Sequence, residues 1–189
     1  MCIRDRSLEG KVKSLNFSNL KITNKFNGQV KVTPKTSSSG TVIGVTSPEL
    51  DIRNYTFSSD NRTSDTVIYL DISKLIINDL VSLNDLNGKF NNTDIVDSYF
   101  TGNINSGPEI KGSFDERDKK LVTIIKSDTG GEVLQAMGMI RGARGGKLTV
   151  EIGSLSEEGN YSGDLILKNV RLKKAPILAD LLSATSVFG

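Results

Sequence analysis

Histidine and tryptophan are both absent from this chain. Without histidine, the commonest general base and the commonest metal ligand are missing. Cysteine occurs once, at Cys2, so neither an internal disulfide nor a thiolate cluster for zinc can form. That scarcity fits a reducing compartment or a periplasm where folding does without disulfides, and it does not choose between them. No run reaches the ~18 apolar residues of a membrane-spanning helix, and no basic-then-apolar signal peptide opens the chain. Charge of one sign is lacking too: 24 Lys and Arg stand against 22 Asp and Glu. No strong field therefore steers the chain to nucleic acid or to an anionic membrane.

What remains is 189 residues, 37% hydrophobic and 6% aromatic, enough for the core of one domain or of a piece of a larger one. Ser, Thr, Asn and Gly are frequent and favour short strands and turns. Apolar alternation marks strands at Lys11–Ile22, Gly28–Val32, Gly40–Val45 and Thr66–Ile72, with Ile68, Leu70 and Ile72 on one face. Ser73–Leu80 is ambiguous between strand and short helix. From Gly88 to Ser127 strand patterns recur about every ten residues, the rhythm of an antiparallel meander. Leu148, Val150 and Ile152 then alternate with Lys147, Thr149 and Glu151, and Tyr161–Leu172 reads as a further strand. Two short amphipathic helices are predicted, over 129–140 and 176–188, with Pro176 suited to a first helical turn. Thr129 and Glu132 have capping-box spacing at the start of the first.

The opening hexapeptide "MCIRDR" resembles the translated adapter read-through that begins many environmental sequences, and is set aside as a non-native leader, residues 1–6. On that reading the true N-terminus lies upstream, and the chain is a fragment that also stops short at its C-terminal end.

The segment "GGEVLQAMGMIRGARGGKLTV" invites chemistry. A phosphate loop needs G-x-x-x-x-G-K-[ST] between a strand and a helix N-terminus. Here Lys147 precedes Leu148 and the order is helix then strand, so the phosphate-loop and dinucleotide fingerprints both fail. An RGG nucleic-acid segment would repeat in a basic, disordered setting. Gly142, Gly145 and Gly146 read best as the breaks between a helix and a strand. The acidic clusters at Ser113–Asp118 and Ser156–Gly159 fall at expected hairpin turns, where solvated charge is the ordinary state. No catalytic residue, metal ligand or cofactor site is assigned.

From Thr66 onward the order and spacing of motifs resemble the C-terminal part of AsmA-like proteins of the Gram-negative envelope, the group that includes YhdP and is related to TamB. The first matching element is Asp128, Gly130 or Gly131, Leu134 and Gly138; the second is Gly145, Gly146, Leu148 and Val150. Gly163, Leu165, Leu167, Asn169, Val170 and Leu172 match a third. Ala175, Pro176, Leu178, Ala179, Leu181, Leu182 and Ser183 match the closing helix. A pair of glycines, Gly130–Gly131, stands where the family usually has one.

The resemblance implies a mostly β fold: a curved, largely antiparallel sheet forming an open β-groove, with the two helices toward the end. It divides the chain into residues 7–65, a β-rich segment of a longer groove, and residues 66–189, the AsmA-like region. It further implies a periplasmic protein held to the inner membrane by an anchor that precedes this sequence. Such proteins are implicated in moving phospholipid toward the outer membrane. On this reading the partners are phospholipid acyl chains and the remainder of a longer chain, with no nucleic acid. The surface expected to touch lipid is Leu148, Val150, Ile152, Leu165 and Leu167. The other reading of the same apolar stripes is a closed β-sandwich, a structural or interaction module of the envelope without lipid cargo.

Overall fold

The computed structural model describes residues 2–6, 12–22, 26–34, 40–53, 65–118, 120–154 and 161–172. The chain is mostly β. Strands β1 (Cys2–Arg6), β2 (Val12–Ile22), β3 (Phe26–Pro34), β4 (Thr41–Asp51), β5 (Thr66–Ile76) and β6 (Ser82–Asn91) come first. A 3-10 turn at Ile95–Asp97 leads to β7 (Tyr99–Ile104), β8 (Glu109–Arg117) and β9 (Lys120–Ser127). Helix α1 (Gly130–Ala136) follows, then β10 (Ala143–Arg144), β11 (Lys147–Ser154), β12 (Tyr161–Lys168) and β13 (Arg171–Leu172).

The strands form one large sheet in the order β1-β2-β3-β4-β5-β6-β7-β8-β9-β11-β12, which does not close, and β10 pairs with β13 beside it. Pairing is antiparallel wherever the register is defined, except between β4 and β5, which run parallel. The expected boundary at 65/66 separates these two paired strands. By compactness the chain falls into two units, Met1–Thr101 and Gly102–Gly189. Residues 2–6 pair as a strand with β2, Cys2 opposite Phe17.

In the first unit the pleat gathers apolar side chains into cross-strand rows. Val32, Ile43 and Ile68 lie in one cross-strand row, Val30, Val45 and Leu70 in the next. Phe90 stands opposite Ile68 and Leu86 opposite Ile72, so the apolar face continues onto β6. Asp85, with φ of 52°, shifts the alternation of β6 and brings Leu83 and Leu86 to the same side. The strand that the sequence left ambiguous at Ser73 continues to Ile76; the Asn78 side chain then accepts the N–H groups of Leu80 and Val81 and closes a turn.

Two expectations about the second unit are corrected. The first helix ends at Ala136, short of Ile140, because Gly138 adopts a φ of +73°. The Gly138 N–H donates to the Gln135 carbonyl and the Met139 N–H to that of Leu134, the paired bonds of a Schellman cap. Met139 folds back against Leu134, and Ile140 is buried beside it, so the apolar spacing outlasts the helix. Likewise Tyr161–Leu172 is two strands, because Asn169 (φ 60°) breaks the extended backbone before β13. The helix expected at 176–188 lies outside the described residues, as do Ala175, Pro176, Leu181 and Leu182. Among the described residues α1 is the one α-helix.

Candidate functional site

The apolar face of the second unit is built from alternate residues of four strands. Leu148 stands opposite Leu167 and Val150 opposite Leu165, so four of the five residues expected to form a surface meet as cross-strand pairs. Ile152, the fifth, faces Gly163 on one side and Thr123 on the other. Ile125 lies between Val150 and Gly112, and Phe114 opposite Thr123, extending the same face onto β9 and β8. Neither Ile125 nor Phe114 is singled out by the sequence, because "LVTII" is apolar in both phases of a strand and does not mark one face.

Exposure grades along this face. Leu148 is only 2% exposed, Leu167, Val150 and Ile152 are half-buried, and Leu165 is 43% exposed. The buried end is the end under α1. A Cβ on Gly130 would stand 2.8 Å from the Leu148 Cβ and 3.1 Å from Leu167 Cδ2, so a bare glycine backbone lies directly on the sheet there. Leu134, Ile140 and Ala143 form a buried cluster there, with Leu167 packed against it. Leu148 is therefore spent on packing the helix, and Val150, Ile152 and Leu165 form the accessible part.

The opposite face is mixed: charged pairs stand there beside Val122, Ile124 and Ile166, the last 46% exposed. Glu151 stands opposite Asp164, and Lys147 opposite Lys168. Like charges so placed repel, and the first pair is relieved by Arg117, whose Nη1 donates to Glu151 Oε2 at 2.7 Å. The carboxylates of Glu151 and then Asp115 hold the Arg117 guanidinium above its usual basicity. The acidic cluster at Ser113–Asp118 thus ends β8 at a turn where Asp118 has φ of 52°, its Arg117 tied to Asp115 and Glu151. Ser156–Gly159 lies outside the described residues.

The glycine-rich segment is a structural joint. Gly130 and Gly131 donate their N–H groups to the carbonyls of Gly146 and Gly145, both at 2.8 Å. Glu132 Oε2 accepts from the Gly145 N–H at 2.8 Å, which replaces the expected capping box: the Thr129 side chain makes no cap bond. Two glycines are needed because the two approaches are separate. Gly130 faces Leu148, whereas a Cβ on Gly131 would fall 2.5 Å from the Arg144 nitrogen. Asp128 reaches Lys147 at 3.8 Å on the exposed side. A shallow depression of about 470 Å³ lies beside this joint, lined by Pro108, Thr129, Glu132, Gln135 and Arg144 among others.

No family model, curated protein or solved structure matches this chain. Among the described residues no group of three or more His, Cys, Asp or Glu side chains is placed to hold a metal. Nor is any helix there long and apolar enough to cross a membrane.

Proposed function

We propose that the half-exposed apolar face holds lipid acyl chains, and that this chain is a non-enzymatic periplasmic segment of an AsmA-like protein serving phospholipid transport between the inner and outer membranes. The observation that carries the reading is the exposure gradient from Leu148 at 2% to Leu165 at 43% along one continuous apolar face of an unclosed sheet. The first unit repeats the arrangement, with Val30, Val45, Ile43, Ile68 and Leu70 only half-buried. Each methylene moved from water onto such a face gains about 0.8 kcal/mol. A track of this kind can carry an acyl chain without a catalytic group, while the polar headgroup stays wet. The motif order from Asp128 to Leu172 supports placing the segment in the envelope, anchored to the inner membrane through a preceding part of a longer chain.

The second reading, a structural or interaction module, is favoured by the well-packed cluster of Leu134, Ile140, Ala143, Leu167 and Val170. The two separate by experiment. Photo-crosslinking groups at Val150, Ile152 and Leu165 are expected to capture phospholipid from cells producing the chain within its parent protein. The same groups at Thr149 and Lys168, on the opposite face, are expected to capture none. Equal capture from both faces, or none from either, refutes the lipid reading.

A further inference from the structure

The polar face of the first unit carries a feature that lipid contact does not use. Tyr69 on β5 is 47% exposed and Tyr99 on β7 is 52% exposed, two aromatic rings in the outward phase of their strands. Both line one open depression of about 310 Å³, together with Gly44, Thr46, Asp71 and Asn87. We propose that this depression binds a neutral β-linked oligosaccharide, with the two tyrosine rings stacking on sugar faces and the flanking polar side chains taking hydroxyl groups.

The geometry is that of a platform. β5, β6 and β7 are successive strands, so the two tyrosines stand about 10 Å apart across the sheet. Gly44 lies directly opposite Tyr69 in the parallel pair, and Lys31 is opposite Gly44 on the other side. A Cβ on Gly44 would meet nothing closer than Lys31 at 4.0 Å, so the missing side chain is what leaves the floor open. A pyranose ring whose hydroxyls are equatorial presents axial C–H groups on a flat apolar face. An exposed tyrosine is amphipathic in the complementary way, with a ring to stack and a hydroxyl that stays wet. The next cross-strand row supplies Thr46, Asp71 and Asn87, a hydroxyl, a carboxylate and an amide in line beside the rings.

Charge decides against the other stacking ligands. Lys89 lies opposite Tyr69, and its ammonium is bound to the Asp97 carboxylate. Lys31 and Lys89 are balanced by Asp71 and Asp97, leaving no net positive field for phosphate. Single-stranded nucleic acid needs aromatic rings within a basic groove; here the rings stand in a neutral one.

The test uses the 189-residue chain and a soluble β-1,4-linked N-acetylglucosamine oligomer, followed by calorimetry and by amide shifts in NMR. Saturable binding is expected, weakened roughly tenfold by Tyr69→Ala or Tyr99→Ala. It is expected to survive about 1 M NaCl, where the Debye length is ~3 Å. Gly44→Val has room in its strand and raises β propensity, so it is expected to fold with an undiminished melting temperature and to lose binding by filling the floor. The proposal is overturned by failure of the wild-type chain to bind this oligomer. It is equally overturned by binding indifferent to all three substitutions, or by a preference for oligodeoxythymidylate or a heparin fragment that salt abolishes.

Discussion

Replacing Gly131 by alanine probes the joint on which the helix-covered end of the apolar face depends. A Cβ there would stand 2.5 Å from the Arg144 nitrogen, 2.7 Å from its carbonyl carbon and 2.8 Å from its Cα. All three are backbone atoms of β10 and cannot swing aside. Relief requires α1 to lift from the loop, which stretches the Gly131-to-Gly145 and Gly130-to-Gly146 bonds of 2.8 Å. Overpacking costs about 1–3 kcal/mol, and two weakened backbone bonds cost roughly 0.5–1.5 kcal/mol each. Better helix propensity returns about 1 kcal/mol. The net loss centres near 3 kcal/mol, a fall in Tm of ~6–12 °C for a chain of this size. Gly138→Ala is the control: its φ is +73° but nothing lies within 4 Å of the added carbon, so only the left-handed backbone penalty of about 1–2 kcal/mol applies. Thermal unfolding followed by circular dichroism measures both variants. If Gly131→Ala is as stable as wild type, or costs less than Gly138→Ala, the close approach of α1 to β10 is wrong.

Two further outcomes test other parts of the fold. Leu134, 2% exposed and packed with Ile140, Ala143, Met139 and Val170, is expected to cost about 2–5 kcal/mol when cut to alanine, read as a lower urea midpoint at unchanged slope. The Asp97 carboxyl is held below its ordinary value by the hydrogen bond from Lys89 and then by that from Asn91, and Lys89 is raised chiefly by the Asp97 bond. Stability from the depressed carboxyl is present above its unfolded pKa and is lost as pH falls through the folded one. The raised lysine contributes below its own unfolded pKa and is lost as pH rises through the folded value. Asp97→Asn is therefore expected to flatten both the acid and the alkaline limbs of a plot of urea midpoint against pH, and unchanged limbs refute the pairing.

What the sequence disclosed was local. The alternation of Lys147 to Ile152 requires only that a strand be pleated, and β11 follows it residue by residue. The apolar spacing overruns the helix end because the Schellman cap returns Met139 and Ile140 to the same core that a longer helix would have reached. The parallel pairing of β4 with β5 was illegible, since the partner of a strand is fixed by contacts distant in sequence. The same reason hid the tyrosine platform. Tyr69 and Tyr99 each occupy an outward position in an alternating strand, where an aromatic is unremarkable alone, and only the strand order brings them to one depression. The need for both Gly130 and Gly131 was also invisible, because one approaches the sheet and the other a loop.

Apolar alternation has the same chemistry whether it packs a core or receives a lipid, so exposure must separate the two. Leu148 and Leu165 lie on one face, but Leu148 is under α1 on a strand paired on both sides, whereas Leu165 stands on β12, the last strand of the sheet. Asparagine at Leu148 buries an amide under the helix, an unpaired polar group costing about 1–3 kcal/mol beyond the packing lost. Asparagine at Leu165 stays partly in water and is expected to change stability by no more than about 0.5 kcal/mol. If the face holds acyl chains, Leu165→Asn also reduces lipid capture from a crosslinker at Val150 while the fold is kept. If instead Leu165→Asn destabilises the protein as much as Leu148→Asn does, the whole face is core, and the interaction-module reading replaces the lipid one.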